Sequence, residues 1–100
     1  MSMYCLVWKY KVSSNQAKFE EEYSRNGSWF KFFESSEDYL GSELMKNSDG
    51  KNYVVIDKWM SKADYQDFLD ENKAEYDQLN EKCKSLYDEE EEMGEFDLLQ

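Results

Sequence analysis

The stretch Lys51 to Met60, KNYVVIDKWM, constrains this chain more than any other. Read as a strand, it puts Val54 and Ile56 on one face and Tyr53, Val55 and Trp59 on the other, with Asp57 among the second set. Apolar side chains on both faces mark a strand that is central in its sheet and covered on each side. Ser61 follows at once and reads as a helix N-cap, with Asp64 three residues on to complete a capping box. A buried strand thus presents a carboxylate and an indole on one face and runs straight into a helix. That strand-to-helix corner is the first place to look for a ligand site.

Met3 to Val12 reads as another central strand. Tyr4, Leu6, Trp8, Tyr10 and Val12 share one face, while Met3, Cys5 and Val7 begin the other before Lys9 and Lys11 turn it to solvent. Ser13 is the expected cap of the next helix, with Gln16 at the capping-box position. That helix carries Phe19, Tyr23, Phe30 and Phe33 close to one face. Asn26-Gly27 breaks it, since Gly costs about 1 kcal/mol relative to Ala in a helix interior, and Ser28 restarts it. The run Trp29-Phe30-Lys31-Phe32-Phe33 cannot aim all its rings at one core, so at least one is expected to meet a cavity or a partner chain.

Tyr39 to Asn47 has the half-polar pattern of an edge strand, with Leu40, Ser42 and Leu44 opposite Tyr39, Gly41, Glu43 and Met45. Asn47-Ser48-Asp49-Gly50 supplies the turn of a hairpin into the KNYVVIDKWM strand. A second helix is expected from about Lys62 to Leu86, with Ala63, Tyr65, Phe68, Leu69, Tyr76, Leu79, Cys83 and Leu86 recurring at helical spacing. The acids Asp88 to Glu92 would sit badly at a helix C-terminus, where the macrodipole is negative. They are expected in a short solvated turn, ended by Gly94, before a last strand over Glu95–Leu99.

The order strand, helix, strand, strand, helix, strand predicts an α+β, ferredoxin-like βαββαβ fold over residues 1–100, one domain with antiparallel sheet order 4-1-3-2. Both helices then cover one face of the sheet. The other face is also apolar, and a second copy of the chain is the economical cover, which predicts a homodimer.

Composition narrows the function. The net charge of −11 repels phosphate backbones and anionic lipid, so neither nucleic acid nor a membrane surface is an expected partner. No segment approaches the roughly 20 apolar residues of a membrane span. MSMYCLVWKYKV lacks the positive region and cleavage site of a secretory signal, so a cytoplasmic location is expected. Histidine is absent, which removes a Ser-His-Asp triad, a histidine base and histidine-ligated haem or metal. Cys5 and Cys83 have neither CxxC spacing nor zinc-site partners, so no metal is expected; two buried thiols are a better reading than a disulfide. Trp 3, Tyr 8 and Phe 6 are many rings for a chain this short, and some are expected to line a cavity or an interface.

The motifs resemble those of the dimeric α/β-barrel superfamily, and within it the antibiotic biosynthesis monooxygenase (ABM) domain. Phe19 and Tyr23 on the first helix, Gly41 in YLGSEL, and Tyr53 to Trp59 followed by Ser61 carry the likeness. Within that domain the chain is similar to a subgroup with Tyr23-x-x-x-Gly27-x-Trp29, Asp57-x-Trp59-x-Ser61 and Gly94-x-Phe96. The resemblance implies a dimeric α/β barrel with a ligand cavity between sheet and helices. It also implies a cofactor-independent monooxygenase-like activity on a small aromatic or polyketide-like substrate. The haem-degrading branch of the superfamily shares the tryptophan at Trp59 but uses a histidine on the following helix and an asparagine on the first strand. Here those places hold Phe68 or Leu69 and Val7 or Trp8, so haem degradation is disfavoured and no cofactor is expected.

Asp57 and Trp59 are the candidate catalytic residues, and Tyr23, Trp29, Tyr65 and Phe68 the candidate substrate-binding ones. A buried carboxylate is desolvated unless paired, which raises its pKa and equips it to take a proton from an acidic phenol or enol. It can equally be a structural acid, paired with Lys9, Lys11 or residues beside Lys58, or bonded to backbone at a dimer contact. The tyrosines and Trp29 can point a hydroxyl or indole N–H into an aromatic cavity, or simply fill the core. A non-catalytic homodimer that binds an apolar ligand or a partner protein is the alternative function.

Overall fold

Two ring-bearing strands lie side by side at the centre of the computed structural model, which describes residues 2–99. They are β1 (Ser2–Lys11) and β3 (Asn52–Trp59), paired antiparallel with Leu6 opposite Asp57 and Trp8 opposite Val55. β2 (Tyr39–Lys46) flanks β3 and β4 (Glu89–Leu99) flanks β1, giving the order β2-β3-β1-β4. This is the expected ferredoxin-like order read from the other edge. The helices are α1 (Gln16–Tyr23), α2 (Ser28–Phe33), α3 (Lys62–Glu71) and α4 (Lys73–Cys83), with a one-turn 3-10 helix at Lys84–Leu86.

The helices cover one face of the sheet, and two aromatic clusters fill the space between. One joins Tyr10, Val12, Tyr53 and Val55 of the β1–β3 side to Phe19, Tyr23, Cys83 and Leu86. The other joins Tyr4, Leu6 and Trp59 to Phe33 and Phe68. Trp8 and Trp29 pack against both. On the opposite face Val54 and Ile56 are only half buried, and Met45, Phe96 and Leu98 are exposed, Phe96 by 51%. Cys5 and Cys83 are both buried free thiols.

Local chemistry corrects several expectations about the elements. Ser13 does not cap the first helix. Its backbone N–H and hydroxyl both donate to the Asp88 carboxylate, the former at 2.9 Å, and the cap position falls to Asn15 in the left-handed region. Gln16 instead donates from Nε2 to the carbonyls of Val12 and Gly50, tying the helix start to the β2–β3 turn. Ser61 behaves as expected, its Oγ accepting from the Asp64 N–H at 3.1 Å. The long second helix is broken at Asn72, which caps the end of α3 and the start of α4. Its side chain donates to the Phe68 carbonyl at 2.9 Å, a local bond that competes with helix continuation.

The acidic run is the largest correction. Glu89 to Glu92 are not in a turn but form the first half of β4, with Glu91 opposite Lys9 and Glu89 opposite Lys11. The lysines that end β1 on the open face thus have carboxylates across the ladder, and opposite charges favour such cross-strand pairs.

Two bulges set the phase of the edge strands. Gly94, with φ of 142°, lies where Met93 is the extra residue between the Val7–Gly94 and Trp8–Glu92 pairs. Gly41, with φ of 108°, lies where Leu40 is the extra residue between Tyr39–Trp59 and Gly41–Lys58. Such backbone favours glycine, and one inserted residue reverses which side chains face the helices. The break between α1 and α2 depends on a third glycine for a steric reason. A Cβ at Gly27 would stand 2.5 Å from the carbonyl oxygens of both Glu21 and Glu22. The turn is closed by the buried Glu22 carboxylate, which accepts from Ser28 and lies 3.5 Å from Lys18 and 3.3 Å from Lys82 of α4. The Ser28 bond, then the lysines, keep that carboxyl below its usual range despite burial. Gly27→Ala is therefore expected to destabilise the chain by about 1–3 kcal/mol, the usual range for forcing extra volume into a packed site. Urea unfolding of the variant against wild type measures this, and an unchanged midpoint would refute the close approach.

Candidate functional site

Asp57 sits on the core face of β3 because Val55 and Trp59 do, two residues to either side. It is 8% exposed. Its Oδ1 accepts from Ser42 Oγ at 2.6 Å, across the β2–β3 pairing that sets the two residues side by side. Ser42 uses its proton on Asp57, so it accepts in turn from the Tyr39 hydroxyl. The result is a relay from phenol to alcohol to carboxylate. None of the expected lysine partners is present. Lys58 falls on the opposite face by strand alternation and pairs with Glu43 at 3.6 Å, and Lys9 shares that outer face. Burial pushes the Asp57 carboxyl up to about 6, with the Ser42 bond pulling the other way.

Asp57 and Ser42 open on a cavity of about 280 Å³ between the sheet and the helices. Both aromatic clusters contribute to its wall. Trp8, Tyr10 and Val55 form the sheet side; Tyr23, Trp29 and Phe33 come from α1 and α2, and Tyr65 and Tyr76 from α3 and α4. Tyr87, Asn80, Glu81, Lys84 and Glu90 add a more polar stretch. The Tyr10 hydroxyl donates to Glu90 at 2.8 Å, which holds that acid against the cavity.

The phenols stay protonated through neutral pH. Burial, reinforced by neighbouring tyrosines and acids, pushes Tyr10 and Tyr65 far above the usual range. Burial does the same for Tyr23, although the nearby Trp29 indole partly opposes it. The Trp29 N–H nevertheless lacks hydrogen-bond geometry to any described residue and is itself buried. Tyr39 is pushed up to about 12, mainly by burial. The cavity therefore offers neutral donors around one carboxylate that titrates near neutrality.

Of the residues singled out from the sequence, Asp57, Tyr23, Trp29 and Tyr65 come together around this cavity. Trp59 and Phe68 do not reach it. Trp59 is 0% exposed, wedged against Phe33, Tyr39, Tyr65 and Phe68 at centroid distances of 5.2–5.5 Å. It braces the ring of Tyr65, and Phe68 lies behind Trp59 in the same cluster. Its indole N–H also lacks a partner among the described residues. Ser42, Tyr39, Trp8, Tyr10, Tyr76 and Glu90 were not anticipated. The signal for the first two is Gly41 inside a strand, a mark of a bulge.

No protein-family model matches the chain, and no curated protein sequence matches it significantly. Solved structures do match. The fold is similar to that of a variant of SnoaB, a cofactor-independent oxygenase from Streptomyces nogalater, with TM-score 0.79 and 20% identity over 100% of this chain and 96% of the other. It is similar to the ActVA-Orf6 monooxygenase of Streptomyces coelicolor, solved with nanaomycin D, with TM-score 0.71 and 18% identity over 99% and 88% of the two chains. A dimeric ferredoxin-like protein from an uncultured marine organism matches with TM-score 0.67 and 12% identity over 100% and 90%. At these identities the likeness establishes the fold, which hosts more than one function.

The raised Asp57 carboxyl makes stability depend on pH. From its unfolded value of 3.8 to about 6, the folded state binds the extra proton, so stability falls as pH rises through that window. Asp57→Asn keeps the shape and removes the charge. Relative to wild type, the variant is expected to gain about 2 kcal/mol of stability between pH 4 and pH 7, the part of the shift that falls in that range. Urea unfolding of both proteins at the two pH values checks it; a constant difference would mean that Asp57 titrates normally.

Proposed function

We propose that the chain is a cofactor-independent monooxygenase-like enzyme whose substrate is a small aromatic or polyketide-like molecule bound in the cavity between sheet and helices. One observation carries the reading: a carboxylate without a cationic partner among the described residues, buried beside an aromatic cavity and poised near neutral pH. A base is most effective when its pKa lies near the working pH. Asp57 takes a proton from an activated ring CH2 or phenol, and the substrate carbanion passes its electrons to dioxygen. The peroxide formed on carbon takes a proton and loses water, so CH2 and O2 become C=O and H2O. Ser42 and Tyr39 hold the carboxylate in place, while Tyr23, Trp29 and Tyr65 orient the rings and keep water out. Trp59 and Phe68 act from behind by fixing Tyr65 and Phe33. SnoaB and ActVA-Orf6, oxygenases of the same fold, support the reading.

Oxygen uptake with a panel of anthrones and hydroquinones tests it. Turnover is expected to rise with pH through about 6 as Asp57 ionises, and Asp57→Asn is expected to lower kcat by about 10²–10⁴-fold, the usual contribution of a positioned base. No uptake with any substrate leaves the alternative of a non-catalytic ligand-binding protein, and an unchanged rate in the variant removes Asp57 as the base.

The same reading includes a homodimer, formed by the open face of the sheet. Val54, Ile56, Met45, Phe96 and Leu98 make that face apolar, and a dimeric protein of this fold supports it. Light scattering is expected to give twice the chain mass, and Ile56→Glu is expected to shift it toward the monomer; a wild-type monomer would remove the dimer. The buried free thiols fit a cytoplasmic, reducing location.

A further inference from the structure

We propose that the cavity selects an organic cation: a two-ring aromatic bearing a protonated amine, its ammonium on the Asp57 carboxylate and its rings among the aromatic walls. The charge inventory of the cavity points this way. Asp57, Glu81 and Glu90 line it against Lys84, the cation among the described lining residues. Asp57 has hydrogen-bond support from Ser42 but no counter-ion among the described residues, so its charge is buried uncompensated by them. A neutral ligand displaces water and leaves that charge more desolvated than before; an ammonium neutralises it, and an anion is repelled.

The walls suit the same ligand. Trp8, Trp29, Tyr65 and Tyr76 bring ring faces and edges from sheet and helices to one space. An aromatic face attracts a desolvated cation. Size sets the ring number. A dry cavity of about 150 Å³ takes benzene, and this one is about 280 Å³. The protein as a whole, at net charge −11, also draws cations toward it.

The preference concerns affinity and stands whether or not the cavity turns over a substrate. An amine seated on Asp57 occupies the base required for oxygen uptake and is expected to inhibit turnover. Calorimetry reads its binding without turnover, so failure of either reading is told apart from failure of the other. Isothermal titration calorimetry of the full chain with 1-naphthylmethylamine, its neutral isostere 1-naphthylmethanol and 1-naphthoate reads it directly. At neutral pH the amine is expected to bind at least about tenfold tighter than the alcohol, and the naphthoate more weakly than either. In Asp57→Asn the amine-to-alcohol ratio is expected to collapse to within about twofold.

Wild type provides a second arm should the variant fail to fold. Tyr10, Tyr39 and Tyr65 lie within electrostatic reach of Asp57 from β1, β2 and α3, and all three are held neutral. Glu81, Lys84 and Glu90 face the same cavity from α4, the 3-10 turn and β4. The alcohol, measured at each pH, cancels changes in the walls. The amine's advantage is expected to shrink as pH falls below about 6. An alcohol that binds as tightly as the amine, a ratio that survives in folded Asp57→Asn or at low pH, or no heat with any naphthyl probe would overturn the proposal.

Discussion

The antiparallel pairing of β1 with β3 is the interaction on which the rest of this molecule depends. It sets Tyr4 against Trp59, Leu6 against Asp57, Trp8 against Val55 and Tyr10 against Tyr53 on the face beneath the helices. A slip of one residue would carry Asp57 to the open face and bring Lys58 beneath the helices. The large rings make that slip costly, because Trp59 and Tyr53 are almost wholly buried and fit only in the present phase. Placement of the carboxylate is thus a by-product of hydrophobic register. The chain needs no special device to bury an acid, only strong apolar neighbours two residues to either side.

Much of this was legible in the sequence. Period-two patterns in Met3–Val12 and Tyr53–Trp59 identify the central strands and their faces. Ser61 and Asp64 identify a helix start, and Asn26-Gly27 a helix break. What these signals share is that they are local. Where the outcome rested on a tertiary competitor, the reading failed. Ser13 has the right chemistry for a cap, but the Asp88 carboxylate across the sheet edge takes its hydroxyl and its N–H. Asn72 failed for a local reason: it fits a helical stripe as well as a break, and the sequence does not say that its backbone leaves helical geometry (φ −123°, ψ 30°) while its side chain bonds the Phe68 carbonyl.

The site was legible in its location and less so in its chemistry. Asp57, Tyr23, Trp29 and Tyr65 were traceable from strand alternation, helix spacing and family resemblance. The relay through Ser42 and Tyr39 was not, because strict alternation puts those two on opposite faces. One extra residue at Leu40 brings them to the same side. Trp59 shows the reverse error. Its alternation with Asp57 is real, but an indole at the end of a strand reaches the rings of Phe33 and Phe68 rather than the open space. A shared face is a weaker statement than a shared cavity.

The bulge at Gly94 has a consequence for the protein in concentrated solution. β4 is an edge strand of 11 residues with an unpaired outer side, the kind of edge that recruits foreign strands. Its composition changes at the bulge: Glu89 to Glu92 precede it, whereas Phe96, Leu98 and Leu99 follow, interleaved with Glu95 and Asp97, all exposed. The two halves therefore meet an incoming strand differently, one repelling and one adhesive. Two such edges aligned head to head would stack carboxylate on carboxylate, whereas an antiparallel approach overlapping only at the Phe96 ends would escape that repulsion. Added salt, by screening the acids, widens the set of tolerated alignments. The way charge is divided along this one strand thus adds a directional preference to the general repulsion that the net charge of −11 supplies.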